Sequence, residues 1–99
     1  MIAYKLMRKK KNNTITSLFI NKKIEYKFNV WMDAEFFPTK GFAERIGWHC
    51  TFIPYAPHLG IKNRVWVKCE VEDWHSYDRP ESQGGKWILA NKIKLLEII

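Results

Sequence analysis

Alternation of apolar and polar positions is the dominant signal along this chain. From Ile2 to Arg8, Ile2, Tyr4 and Leu6 fall on one side and Ala3, Lys5 and Met7 on the other, the period-two pattern of a strand. Arg8-Lys9-Lys10-Lys11-Asn12-Asn13 follows, and Asn-Asn suits the positive φ of a turn. Thr14 to Ile20 supplies a second strand of β-branched and aromatic residues, so the two segments predict a hairpin with a basic tip. After a turn at Asn21-Lys22-Lys23, Ile24, Tyr26 and Phe28 alternate with Glu25 and Lys27 as a further short strand. Asn29 is placed to cap a short helix from about Val30 to Phe37, with Asp33 and Glu35 in its early turns and Pro38 ending it.

The longest alternation lies between Gly47 and Asp73. Ile46 to Ile53 reads as a strand, Pro54 to Asn63 as a loop, and Arg64 to Glu72 as a second strand. In that second strand Val65, Val67, Cys69 and Val71 share one face and Arg64, Trp66, Lys68, Glu70 and Glu72 the other, as in an antiparallel strand with one wet face. Asp73 to Gln83 is polar and mixed, and Gly84-Gly85 marks a sharp turn. Ile93 to Ile98 reads as a final strand with a bend near Asn91, because β-branched residues cluster there; a C-terminal helix is the alternative. The predicted fold is α+β: a compact, mainly antiparallel β-sheet with one short helix at about Val30–Phe37. Ninety-nine residues are too few to fill two cores, so a single domain over residues 1–99 is expected.

Composition changes this picture little. Five Trp, four Tyr and six Phe are enough to build a core, which argues against disorder. Two cysteines, in the contexts His49-Cys50 and Lys68-Cys69, suit reduced thiols in a cytosolic protein better than a disulfide framework. No signal-peptide pattern is present, and no apolar run approaches the ~18 residues of a membrane span, so a cytoplasmic protein with no membrane partner is expected.

Charge changes it more. The net charge is +7, and residues 1–28 carry eight cationic side chains against one carboxylate, whereas residues 29–99 carry nine of each. Such asymmetry points to a polyanionic partner, nucleic acid or an acidic protein surface. A merely solubilising hairpin on a blunt sheet edge has the same pattern. The candidate binding residues are Lys9, Lys10, Lys11, Lys22 and Lys23 along a phosphate backbone, with Trp66, on the polar face of its strand, as a stacking platform. Lysine outweighs arginine in this set, which suits contact with a backbone rather than readout of bases.

Catalytic chemistry has weaker signals. His49 and Cys50 are neighbours on a strand and point to opposite faces, and Cys69 lies among valines, so neither a tetrahedral metal site nor an activated thiol is expected, and no cofactor. The segment Arg79-Pro80-Glu81-Ser82-Gln83-Gly84-Gly85-Lys86-Trp87 is dense in hydrogen-bonding groups, and its glycines permit close backbone approach to an anion. With His58 it makes a candidate ligand loop: His58, Arg79, Glu81, Gln83 and Lys86. A well-ordered turn explains the same residues.

Several blocks resemble a family of short proteins encoded by bacteriophages and prophages. They are Tyr4-Lys5-Leu6-Met7-Arg8, Ser17-Leu18-Phe19-Ile20-Asn21, Pro38-Thr39-Lys40-Gly41-Phe42, Gly47-Trp48-His49-Cys50, Ala56-Pro57-His58-Leu59, Arg64-Val65-Trp66-Val67 and Arg79-Pro80-Glu81-Ser82-Gln83-Gly84-Gly85. The resemblance implies a phage-derived cytoplasmic protein acting inside a bacterial host. Small phage proteins often disarm a host system by binding it, and anti-CRISPR proteins are one such class. The expectation is therefore a non-catalytic binding protein acting on a host ribonucleoprotein or RNA through the basic hairpin, most sharply an anti-CRISPR inhibitor of an RNA-guided effector. The alternative is a small enzyme centred on His49, His58 and the Arg79–Lys86 loop. It draws on a fainter similarity to ADP-ribosyltransferase-like folds, which would give roles to Arg8, Tyr26 and Glu81. A virion accessory protein, associating through Trp74 and Tyr77, is a third reading.

Overall fold

The computed structural model describes residues 1–10, 15–16, 26–33 and 47–99. Six strands form along them: β1 (Ile2–Lys9), β2 (Ile15–Thr16), β3 (Trp31–Asp33), β4 (Trp48–Thr51), β5 (Arg64–Asp78) and β6 (Lys86–Ile98), with a 3₁₀ turn at Glu81–Gln83. Every pairing between them is antiparallel. β5 pairs with β1 along one edge and with β6 along the other. β6 also pairs with β4, and β4 touches β1 at Tyr4↔Thr51. The circuit β1–β5–β6–β4–β1 is closed, so the sheet is a small barrel whose central strands have few open edges. The seam between β1 and β4 is narrow, and there the Thr51 hydroxyl donates to the Ile53 carbonyl at 2.5 Å and lies 3.2 Å from the Tyr4 carbonyl.

The interior follows from alternation. Val67, Cys69 and Val71 of β5 face Ala3 and Met7 of β1 and Ile88, Ala90, Ile93 and Leu95 of β6, with Cys50 and Ile15 completing the buried cluster. Lys5 shares the inward row with Ala3 and Met7 yet is only half-buried, its Nζ donating to the His49 carbonyl at 2.9 Å. One of the N-terminal cations is thereby turned inward, away from any partner.

On β6 the inward set moves from Ile88 and Ala90 to Ile93 and Leu95, a change of phase across the exposed pair Asn91-Lys92. Opposite this point Asp73 of β5 takes a φ of 51° and accepts a hydrogen bond from Asn91 Nδ2 at 2.8 Å. Near Asn91, where the sequence predicts a bend, β6 runs on as one continuous strand. A second irregularity between Lys68 and Cys69 shifts the register by one residue opposite Leu96. Gly47 is required where it stands: at φ 145° a Cβ there would meet Leu89 Cδ1 at 2.6 Å.

Three expectations need correction. Trp31–Asp33, inside the expected helix at Val30–Phe37, is strand β3, with Met32 opposite Ile93 of β6; residues 34–37 lie outside the described residues. Asn29 does not cap a helix there: it takes a φ of 61° and its N–H bonds the Leu95 carbonyl at 2.8 Å, turning the chain onto β6. Trp31 then lies under the Lys94 ammonium, 5.1 Å from its ring centroid. A free strand edge on β6 outweighs the weak helical preference of a β-branched and aromatic segment. The polar stretch from Asp73 to Asp78 continues β5, with Trp74 to Asp78 pairing against Ala90 to Lys86. Among the described residues the fold is thus antiparallel β with no α-helix, rather than α+β, and none of them forms a helix long and apolar enough to cross a membrane.

Candidate nucleic-acid interface and an aromatic–arginine cluster

The register between β1 and β5 determines which polar side chains share the outer face. Residues directly opposite one another in an antiparallel pair project to the same side, with Cβ atoms ~4.5–5.5 Å apart. The outward rows are Ile2↔Glu70, Tyr4↔Lys68, Leu6↔Trp66 and Arg8↔Arg64. Trp66 is half-buried, with Arg64 and Lys68 two residues away on either side and Leu6 buried across from it. Arg64 Nη1 donates to the Gly60 carbonyl at 2.9 Å, which fixes the direction of its side chain.

Arg8 stands directly opposite Arg64, and like charges in that relation destabilise a sheet. On the same face Glu97 of β6 stands opposite Lys68, and the Glu70 carboxylate, paired with Lys94 at 3.3 Å, is roughly 20 Å along the strand from Arg64 at ~3.3 Å per residue. More cations gather at this end. The Lys9 N–H bonds the Asn63 carbonyl at 3.0 Å, which brings the exposed Lys62 beside the β1 terminus, and Lys10 follows. Lys9 itself has the parity of Met7 and lies opposite Ile15, so it borders the strip rather than sharing its face. Lys11, Lys22 and Lys23 lie outside the described residues.

Lys62, Arg64 and Lys68 are the residues that the sequence reading missed. Counting charge by segment made residues 29–99 neutral, and only the pairing of β1 with the start of β5 adds these cations to the N-terminal group.

A second constellation occupies the outer face at the other end of β5. Two rows cross three strands there: Thr51–Trp87–Tyr77 and His49–Leu89–His75. The Tyr77 hydroxyl lies 2.6 Å from His49 Nδ1 and accepts from Arg79 Nε at 3.2 Å. The Arg79 guanidinium carbon sits 4.3 Å from the Trp87 ring centroid and 5.5 Å from that of Tyr77. The His58 ring packs tilted against Trp87, with centroids 5.7 Å apart. Loss of solvent, and then the Arg79 charge, hold the His58 pKa below its ordinary 6.5.

The loop between β5 and β6 is held by its own backbone. The Arg79 N–H bonds the Gly85 carbonyl at 2.6 Å, and Trp87 Nε1 donates to the Gln83 carbonyl at 2.7 Å. Gly84 and Gly85 take φ values of 104° and 79°, which close the turn at little steric cost.

Of the expected ligand-loop residues, His58, Arg79 and Gln83 therefore meet on Trp87, Gln83 through its main chain. Lys86 does not join them. It has the opposite parity from Trp87 and lies 4.0 Å from Asp78, both side chains largely exposed. Glu81 stands exposed on the 3₁₀ turn. His49 reaches the cluster through Tyr77. Tyr26 packs edge-on against Trp48, with centroids 5.5 Å apart. Trp74 is exposed and packs edge-on against Phe52.

Neither thiol is placed for nucleophilic work. Both cysteines are free and buried, and burial pushes Cys50 up to about 11 and Cys69 up to about 12. Among the described residues no group of three or more His, Cys, Asp and Glu side chains converges to hold a metal ion.

Comparison with protein-family models, with curated proteins and with solved structures finds no match to this chain.

Proposed function

We propose that this small β-barrel is a non-catalytic binding protein that engages RNA or a ribonucleoprotein through the face carrying Arg8, Arg64, Trp66 and Lys68, with Lys9, Lys10 and Lys62 at its end. The observation that carries the reading is the Arg8↔Arg64 pair. Two arginines set opposite one another concentrate positive charge at this end of the sheet, and a phosphate backbone lying across them can meet both. Trp66, flanked on its own strand by Arg64 and Lys68, supplies a π-face for a base beside cations for the backbone. Arginine at this position, rather than lysine alone, adds bidentate phosphate contact.

The motif resemblance to phage and prophage proteins sharpens the partner. On that reading the protein is an anti-CRISPR inhibitor that contacts the guide RNA or an acidic patch of an RNA-guided effector in the host cytoplasm. A cationic inhibitor of this kind binds nucleic acid rather than imitating it.

The test is a salt series of binding to a labelled single-stranded RNA. The triple variant Arg8→Gln, Arg64→Gln, Lys68→Gln should lose at least tenfold in affinity at moderate salt. The slope of log K against log salt should fall by about 2, at ~0.7 per lost phosphate contact on a single strand. Trp66→Ala should weaken binding by ~1–3 kcal/mol at unchanged slope. Unchanged affinity and slope in the triple variant overturn the reading, and an effector that still binds after RNase treatment assigns the contact to protein.

A further inference from the structure

The aromatic–arginine cluster at the far end of β5 is separate from the proposed interface. We propose that Arg79 is the receptor for a single phosphate group, with its terminal nitrogens as the primary donors and His58 as a second.

Three contacts hold the guanidinium in one place: the Trp87 ring at 4.3 Å, the Tyr77 ring at 5.5 Å, and the hydrogen bond from Nε to the Tyr77 hydroxyl at 3.2 Å. The Tyr77 hydroxyl is itself held by His49 Nδ1 at 2.6 Å, and the backbone beneath Arg79 is closed by the bond from its N–H to Gly85. An arginine in free solution loses much rotamer freedom on binding an anion; this one has lost most of it already. The Nε–H is occupied, but the two terminal nitrogens, which together carry four N–H donors, have no acceptor among the described residues. No carboxylate among the described residues is paired with Arg79. The adjacent Asp78 lies 4.0 Å from Lys86, and Glu81 stands exposed. Arginines fixed for structural reasons are usually bonded through this fork to a carboxylate or to carbonyl groups. Here the fork is left over.

A flat fork of two N–H groups matches two oxygens of either a carboxylate or a phosphate. The neighbour decides between them. His58 packs on the same indole that carries Arg79 and lies within the reach of its charge. A carboxylate has no third oxygen for an imidazole N–H to reach once the fork holds it, whereas a phosphate does.

The probe is inorganic phosphate, followed by ¹H–¹⁵N NMR at the Trp87 indole N–H and the Arg79 Nε–H, with acetate at matched ionic strength in a parallel titration. Phosphate should shift both resonances saturably and acetate at least tenfold more weakly. Arg79→Gln should abolish the response. Arg79→Lys, which keeps the charge and removes the fork, should weaken it at least tenfold, and His58→Ala several-fold. The Arg8→Gln, Arg64→Gln, Lys68→Gln protein should respond as the parent does, so the two sites fail or stand separately. No saturable shift with phosphate, an equal response to acetate, or an undiminished response in a folded Arg79→Lys protein overturns the proposal.

Discussion

An arginine stands at each end of β5, Arg64 as its first residue and Arg79 just past its last, and the fold treats the two in opposite ways. At the start of the strand Arg64 stands across from Arg8, so the register places two cationic residues opposite one another. Just past its end Arg79 lies on Trp87 and Tyr77 and gives its Nε–H to a phenol, so the fold spends aromatic surface and a hydrogen bond on one cation. On the proposed function, the first arrangement is stabilised from outside, by an anion that spans both charges. The second is rigid before anything binds. The change of phase at Asp73, with its φ of 51°, separates the halves. Before it the inward face of β5 is valines and Cys69; beyond it the outer rows contain Tyr77 beside Trp87 and His75 beside Leu89. An extended basic strip suits a polymer, and a single fixed guanidinium suits one small group.

Removing Trp87 should break this contrast most strongly. Its side chain is buried on the outer face, carries both Arg79 and His58, and anchors the Gln83 carbonyl. Trp87→Ala should lower stability by ~3–5 kcal/mol in urea unfolding, the range for a buried tryptophan that leaves a cavity. RNA affinity of the fraction still folded should stay within twofold, because the Arg8–Arg64 strip lies on the other half of the strand. A loss below about 1 kcal/mol would mean that the loop does not depend on the indole.

Much of the first half was legible in the sequence. The clean alternation of Val65, Val67, Cys69 and Val71 against Trp66 and Lys68 gave both the strand and the orientation of its faces. Alternation also separated His49 from Cys50 and put Cys69 inside. Register was not legible. Nothing local says that Arg8 meets Arg64, because that pairing joins residues 56 apart through the closure of the barrel. The second half was obscured for a different reason. Lys86 to Ala90 is buried on alternate sides by different layers, with Trp87 and Leu89 on one face and Ile88 and Ala90 on the other, so no period-two pattern survives. The helix expected from Val30 failed because Asn29 can satisfy a cap or a left-handed turn, and only the neighbouring β6 edge decides between them. The Arg79–Trp87 segment stood out by its residue types, but His58 and Arg79 are brought together by Trp87, which the sequence offered only as the end of a turn.

The two arginines should also differ in the sign of their effect on stability. Arg8→Glu converts a repulsive pair into an attractive one across from Arg64, so the free protein should become more stable by ~0.2–1 kcal/mol. RNA binding should fall at least tenfold in the same variant. Stability and affinity then move in opposite directions, as expected where a fold carries unfavourable charge for a partner. The comparison is sharpened by measuring urea unfolding and RNA binding on one preparation, at low and high salt. The gain in stability should shrink as salt rises, since an exposed pair is screened. If Arg8→Glu destabilises the barrel, or leaves RNA binding intact, the strip is a structural feature only.

The smallest effect is read at His58. Its pKa lies below 6.5 because its surroundings withhold solvent from the charged form, and second because the Arg79 charge opposes it. Arg79→Gln removes the second cause alone. The His58 pKa should therefore rise towards 6.5 without passing it, as followed by ring ¹H–¹³C chemical shifts against pH. The sign carries over to stability. A histidine whose folded pKa is depressed binds its proton more readily in the unfolded chain, so its contribution is whole above 6.5 and diminishes as pH falls from 6.5 through the depressed value. That acid-side loss should be smaller in Arg79→Gln than in the parent. His58 is mostly exposed, so the change belongs to a titration curve rather than to a melting temperature. A pKa that stays fixed when Arg79 is neutralised would place the guanidinium out of reach of the imidazole. It would also remove His58 from the phosphate site while leaving Arg79, Trp87 and Tyr77 to hold it.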